Sequence, residues 1–147
     1  MSVQLKAAFA IYIANILVML TIGFAFVFRN EFMPFHSDVI GMKWNELNSQ
    51  FQILYLGMMR TEGAGFLASA TALIILSIAA FRKPEQWLFL AMSAIGIVEY
   101  FPTFIANYHV SQVTNATPPW LLMLSLILSL TIASLLAFSS FKSIRKT

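Results

Sequence analysis

Four apolar runs lie along this chain, each of about 20 residues or more and so long enough to cross ~30 Å of hydrocarbon as a helix. They fall at about 7–28, 51–81, 86–108 and 119–141, with a long mixed stretch at 29–50 and two short turns between them. The pattern predicts an all-α fold, an integral membrane four-helix bundle in which the whole chain is a single membrane domain. In the first span Asn15 shares a helical face with Tyr12, Met19 and Ile22. A carboxamide in hydrocarbon wants a hydrogen-bond partner, so this face is expected to meet protein.

The second run carries the most information. Ser49, Gln50, Phe51 and Gln52 have the S-x-x-Q spacing of a capping box, which predicts the helix start there. Thirty-odd residues from that point make a helix of ~47 Å, which overshoots the hydrocarbon and must tilt or project. At 100° per residue, Gly57, Thr61, Ala64, Gly65, Ala68, Thr71 and Ala72 share one face. Small residues let helix backbones approach closely in lipid, so this face is predicted to be the central contact of the bundle. Arg60 and Glu62 flank it about 200° apart and cannot both reach the same neighbour.

Phe81 to Glu85 is a basic turn, with Pro84 suited to the first helical position and Glu85 to the first turn of the third span. Glu99 lies ~20 Å along that span and is the most deeply placed charge, with Pro102 expected to kink the helix beyond it. Asn107, Tyr108 and His109 are expected to close the span. Thr117 as N-cap and Pro118 at the first helical position predict the start of the fourth span. Its small residues Ser125, Ser129, Ala133 and Ala137 recur at helical spacing and predict tight packing.

Composition agrees: 59% of residues are hydrophobic and 10% charged, against about 45–50% and 25% in soluble domains. No cysteine is present, which excludes disulfides, thiolate catalysis and iron–sulfur ligation. The first span follows Lys6 as in a signal sequence, but its length and its bulky end at FAFVFRN predict an uncleaved span. Lys6, Arg82, Lys83, Lys142, Arg145 and Lys146 fall on one side, while Arg29 and Lys43 on the other are offset by Glu31, Asp38 and Glu46. This asymmetry predicts that both termini are cytoplasmic. The stretch from Arg29 to Gln50 then lies outside, where Trp44 suits the headgroup level and the length suits a lid or recognition surface.

Candidate chemistry gathers at that outer end, in Arg60, Glu62, Glu99, His36 and His109. Arg60 and Glu99 could form a buried ion pair, or Arg60 could snorkel outward and leave Glu99 protonated. Glu99 beside Pro102 could carry a proton or cation in an oligomeric transporter. His36, His109, Glu62 and Glu99 are donors that zinc or iron accepts, but their spacing matches no metal motif, so no metal site is predicted. His36 with Asp38 or Glu62 could act as a general base. With no GxSxG, P-loop or Rossmann fingerprint, no catalytic residue is assigned.

The run FMPFHSDVIGMKWNELNSQFQILYLGMMRTEGAGFLA, with TPPW opening the last span, resembles a group of small bacterial membrane proteins in which a His-containing loop with Gly and Trp leads into an MR-x-x-G-x-G helix. More loosely the chain is similar to the DoxX-like four-helix membrane proteins. The resemblance covers Phe32 to Ala68, with His36, Gly41, Trp44, Arg60, Gly63 and Gly65 at the matching positions. It implies a multi-pass protein of the bacterial cytoplasmic (inner) membrane. DoxX-like proteins are associated with quinol oxidation and redox homeostasis, yet no cysteine or quinone signature accompanies the likeness here. The expected function is a binding or accessory protein with an outer-leaflet pocket for a lipid, a quinone or a partner helix. The alternative is a proton-coupled oligomeric small-molecule transporter using Glu99. No cofactor is predicted, a quinone or lipid remaining open. The expected partners are the lipid bilayer and a membrane protein or further copies of the chain, with no nucleic acid.

Overall fold

A computed structural model of the protein describes residues 2–144, with side chains as far as residue 142. Arg145 and Lys146, counted above among the basic residues of the terminal face, lie outside the described residues. Five helices form: α1 (Val3–Phe28), α2 (Pro34–Ile40), α3 (Ser49–Arg82), α4 (Gln86–Val113) and α5 (Trp120–Ile144), with one turn of 3-10 helix at Trp44–Glu46. Helices α1, α3, α4 and α5 are long and apolar enough to cross a membrane, and the protein is a multi-pass membrane protein.

Helix α1 packs against α3 and α5, and α4 packs against α5 and α3, so consecutive spans are neighbours around a closed ring. The two ends of the chain meet, with Ser2 Oγ 2.6 Å from Ser140 Oγ. The termini therefore share one face of the bundle, and α2 lies at the other.

Helix boundaries differ from the sequence reading at each start. Ser2 caps α1 by accepting the Leu5 N–H at 3.2 Å. Asn48, one residue before the expected capping box, caps α3 by accepting the Phe51 N–H at 3.0 Å. Its amide oxygen reaches the third residue of the helix, so Ser49 becomes the first helical residue instead of the cap. Glu85 stands outside α4, where its carboxylate pairs with Lys83 at 2.8 Å and accepts the Trp87 indole N–H at 2.7 Å. Helix α4 runs unbroken through Pro102 to Val113, beyond the expected end near Tyr108. Helix α5 starts at Trp120, after Pro118 and Pro119.

The core consists of one face from each span. Tyr12, Met19, Phe66, Leu73, Phe89, Met92, Tyr100, Leu130, Ala133 and Ala137 are fully buried in it. The α1 face expected to meet protein does so: Asn15 Nδ2 donates to Ile11 O at 2.9 Å and to Ser129 Oγ on α5 at 3.0 Å. Tyr12 Oη donates to Phe89 O at 3.0 Å and lies 2.8 Å from Ser93 Oγ. Ser93 Oγ in turn reaches Leu130 O at 3.1 Å. These hydroxyls tie α1, α4 and α5 together where no water competes for them.

The small-residue face of α3 is not the central contact. Gly57, Thr61, Ala64, Ala68 and Thr71 are exposed, and the buried face is the opposite one, formed by Met59, Gly63, Phe66, Ala70, Leu73, Ser77 and Ala80. Small side chains permit close approach but supply little to bury, whereas Phe66, Leu73 and Met59 fill the core. The close approach that does form is between Gly63 and Gly23 of α1, where a Cβ at Gly63 would stand 2.8 Å from Gly23 O. Thr61 and Thr71 return their hydroxyls to the carbonyls of Gly57 at 2.9 Å and Leu67 at 2.8 Å, which suits a face turned to lipid. On α5 the expected stripe holds at Ser129, Ala133 and Ala137, while Ser125 turns outward.

Candidate functional site

The expected loop at 29–50 folds into a small cap over the end of the bundle opposite the termini. Pro34 opens α2, its fixed φ and missing N–H suiting the first turn. Gly41 closes it in the left-handed region at φ +67°, where side chains are strained, and donates its N–H to Ser37 O at 2.8 Å. Phe32 is the anchor. It is buried, with ring centroids 5.1 Å from Trp44, 5.7 Å from Tyr55 of α3 and 6.1 Å from His36. Gln52 Nε2 donates to Trp44 O at 2.9 Å and fastens the cap to α3. Trp44 thus packs within the cap, at the end of the bundle opposite the termini.

Two adjoining spaces lie beneath this cap. An inner chamber of about 210 Å³ is walled by Ile22, Phe26, Phe66, Leu122 and Met123, and is largely apolar. A vestibule of about 520 Å³ opens between α3 and α4, past Val39, Ile40, Tyr55, Pro102, Ala106 and Val110. Phe35, His36, Glu62, Thr103 and Asn107 line both, so the polar groups stand where one space meets the other.

His36 Nδ1 accepts the Met33 N–H at 3.3 Å, which leaves Nε2 to carry the proton of the neutral ring. Burial pushes the imidazole below its ordinary pKa of 6.5, and the neutral form is the one the cap holds. A base whose folded pKa is depressed stabilises the fold fully above its unfolded pKa. That contribution is lost as pH falls from about 6.5 towards the folded value. Acidification through this window is therefore expected to loosen α2, although Glu62 faces the same space and works against the effect. Hydrogen exchange of the α2 amides, corrected for intrinsic rates, should rise at pH 5 relative to pH 7.5. Equal protection at both would refute this role of His36.

Inward of the junction, Ser69 Oγ on α3 donates to Glu99 Oε2 on α4 at 2.7 Å. Glu99 Oε1 lies over Gly65, 3.4 Å from where a Cβ would stand. Glu62 and Glu99 are neighbours along this α3–α4 seam, within electrostatic reach of each other. Glu62 itself makes no hydrogen bond or ion pair among the described residues.

The structure therefore divides the candidate cluster. His36, Glu62 and, one step deeper, Glu99 come together. Arg60 does not: it is exposed on the far side of α3, and no carboxylate among the described residues pairs with it. The Arg60–Glu99 ion pair is corrected to a Ser69–Glu99 hydrogen bond, because residues 60 and 62 point about 200° apart and α4 faces the Glu62 side. Arg60→Ala is accordingly expected to change stability by less than ~0.5 kcal/mol in detergent melting, and a loss above 2 kcal/mol would restore the pair.

His109 is exposed near the end of α4, away from His36. Among the described residues no three His, Asp or Glu side chains converge as metal ligands. Asp38 is exposed and lines neither space, so His36 shares a wall with Glu62 alone. Asn15 belongs to the core, 2% exposed, with its Oδ1 unpartnered. Thr103, Asn107, Tyr55, Phe35 and Ser69 join the site without having been singled out as candidates. Thr103 shares a helical face with Glu99, but only the seam brings α2 and α3 to it. No known protein family, curated protein or solved structure matches the chain.

Proposed function

We propose that this is a binding protein of the bacterial cytoplasmic membrane, whose outer pocket holds an amphipathic small molecule of the lipid or quinone class. The observation that carries this reading is the pairing of an apolar chamber with a vestibule through a polar junction at His36, Glu62, Thr103 and Asn107. Ligand sites are typically largely apolar concavities with a few convergent polar groups. A partner helix fits less well, because the chamber lies under α2 instead of along an open groove. Lys6, Arg82, Lys83 and Lys142 on the terminal face support an orientation with the pocket in the outer leaflet. Kinship with the small bacterial membrane proteins that residues 32–68 resemble, and more loosely with the DoxX-like four-helix proteins, is part of this proposal.

Transport through Glu99 is the second reading, favoured by the alignment of Glu62 and Glu99 on one seam. Against it, the seam inward of Ser69 is closed by Leu73, Leu88 and the contact of Ser77 with Met92 at 3.3 Å. A single copy thus offers no polar route across, and transport would need an assembly.

Native mass spectrometry of protein released gently from membrane tests both. A monomer retaining one lipid or quinone supports the binding reading. A ligand-free dimer or larger assembly moves the weight to transport.

A further inference from the structure

We propose that the head group this pocket takes is an organic cation, an alkyl- or arylammonium held by Glu62 against the rings of Phe35, Tyr55 and Phe66. The proposal rests on the binding reading above and names the ligand's chemistry.

Glu62 faces the junction of the two spaces, exposed there and without a partner among the described residues, so its carboxylate is free to take a cationic ligand. Among the described residues no lysine or arginine lines either space, and Arg60 is turned to the other side of α3. His36 is neutral, since its Nδ1 is spent on the Met33 N–H. Glu99, whose Oε2 accepts from Ser69 Oγ, places a second acidic side chain just inward.

This charge pattern discriminates among head groups. A phosphate or carboxylate would meet two acidic side chains and, among the described residues, no cation. A neutral carbonyl could accept the His36 Nε2–H but would leave Glu62 bare. An ammonium answers Glu62 directly, and the aromatic rings of Phe35, which lines both spaces, of Tyr55 in the vestibule and of Phe66 in the chamber wall attract it further. The oxygens of Thr103 and Asn107 accept any N–H it carries. A chamber of about 210 Å³ admits a small head, and an apolar tail has its exit through the vestibule beside Val39, Ile40 and Val110.

The test uses the full chain in nanodiscs of neutral lipid, titrated calorimetrically with benzyltrimethylammonium and with neopentylbenzene, its uncharged isostere. The cation is expected to bind at least about tenfold more tightly, and Glu62→Gln to remove that preference. Equal binding of the two by the unmodified protein would overturn the cation and leave the pocket standing. Binding of neither would overturn the cation together with the pocket reading beneath it. Because the comparison of the two compounds is made on the unmodified protein, it stands even if Glu62→Gln fails to fold. A folded Glu62→Gln that keeps the full preference would also overturn the proposal.

Discussion

Gly63→Ala is expected to destabilise the bundle by about 1–3 kcal/mol, the usual cost of overpacking. A Cβ at this position would lie 2.8 Å from Gly23 O and 2.8 Å from Phe26 Cβ. Neither atom is the free end of a flexible side chain, so α1 itself would have to move away from α3. Two other glycines serve as controls. At Gly23 the new Cβ would meet chiefly Leu67, whose side chain can turn aside, although Gly63 O stands at 3.0 Å; the cost there should be smaller. At Gly57 nothing lies within 4 Å, and an alanine should gain the ~1 kcal/mol of helix propensity that glycine forgoes. Denaturant unfolding in mixed micelles would rank the three. If Gly63→Ala proved as stable as Gly57→Ala, the α1–α3 contact would not be the tight one described here.

Thr103→Phe is the second substitution with a large expected effect, this time on the pocket. Thr103 lines both the chamber and the vestibule, so a phenyl ring there would occupy the junction between them. Retention of any co-purifying amphiphile should fall at least about tenfold, equivalent to ~1.4 kcal/mol. Stability should change little, because Thr103 is half-buried and its hydroxyl is not engaged in any hydrogen bond among the described residues. Quantitative extraction followed by mass spectrometry provides the readout. Unchanged retention would mean that the ligand does not pass this junction.

The contrast between these two predictions reflects two kinds of helix contact. Between α1 and α3, backbone meets backbone at Gly23 and Gly63, and between α4 and α5 the side chain of Leu130 lies directly against Gly96. The α3–α4 seam is the loosest of the four, bridged by Ser69 and Glu99 and opening outward into the vestibule. In lipid, helices associate through packing and hydrogen bonds because the surrounding acyl chains are as apolar as the core. Beside the vestibule opening the clamp of Phe32, Trp44, Tyr55 and Gln52 fastens the cap to α3.

Much of the architecture was legible along the chain. Apolar length alone determined four spans, since an unsatisfied backbone cannot cross hydrocarbon except as a helix or a closed barrel. The interior position of Asn15, Tyr12 and Met19 followed from helical spacing and the need of a carboxamide for a partner. Of the five polar groups that the sequence gathered at one end, the structure brings His36, Glu62 and Glu99 together and leaves Arg60 and His109 exposed outside both spaces. Only the tertiary structure decided which face of α3 is buried, because a helix with small residues on one side and large ones on the other can present either. It also decided that Arg60 stands apart from Glu99, since the rotation of α3 about its axis is set by the fit of Gly63 against Gly23. Spacing constrains angles within one helix, and the pocket is built from four helices and a cap whose mutual rotations depend on packing between distant parts of the chain.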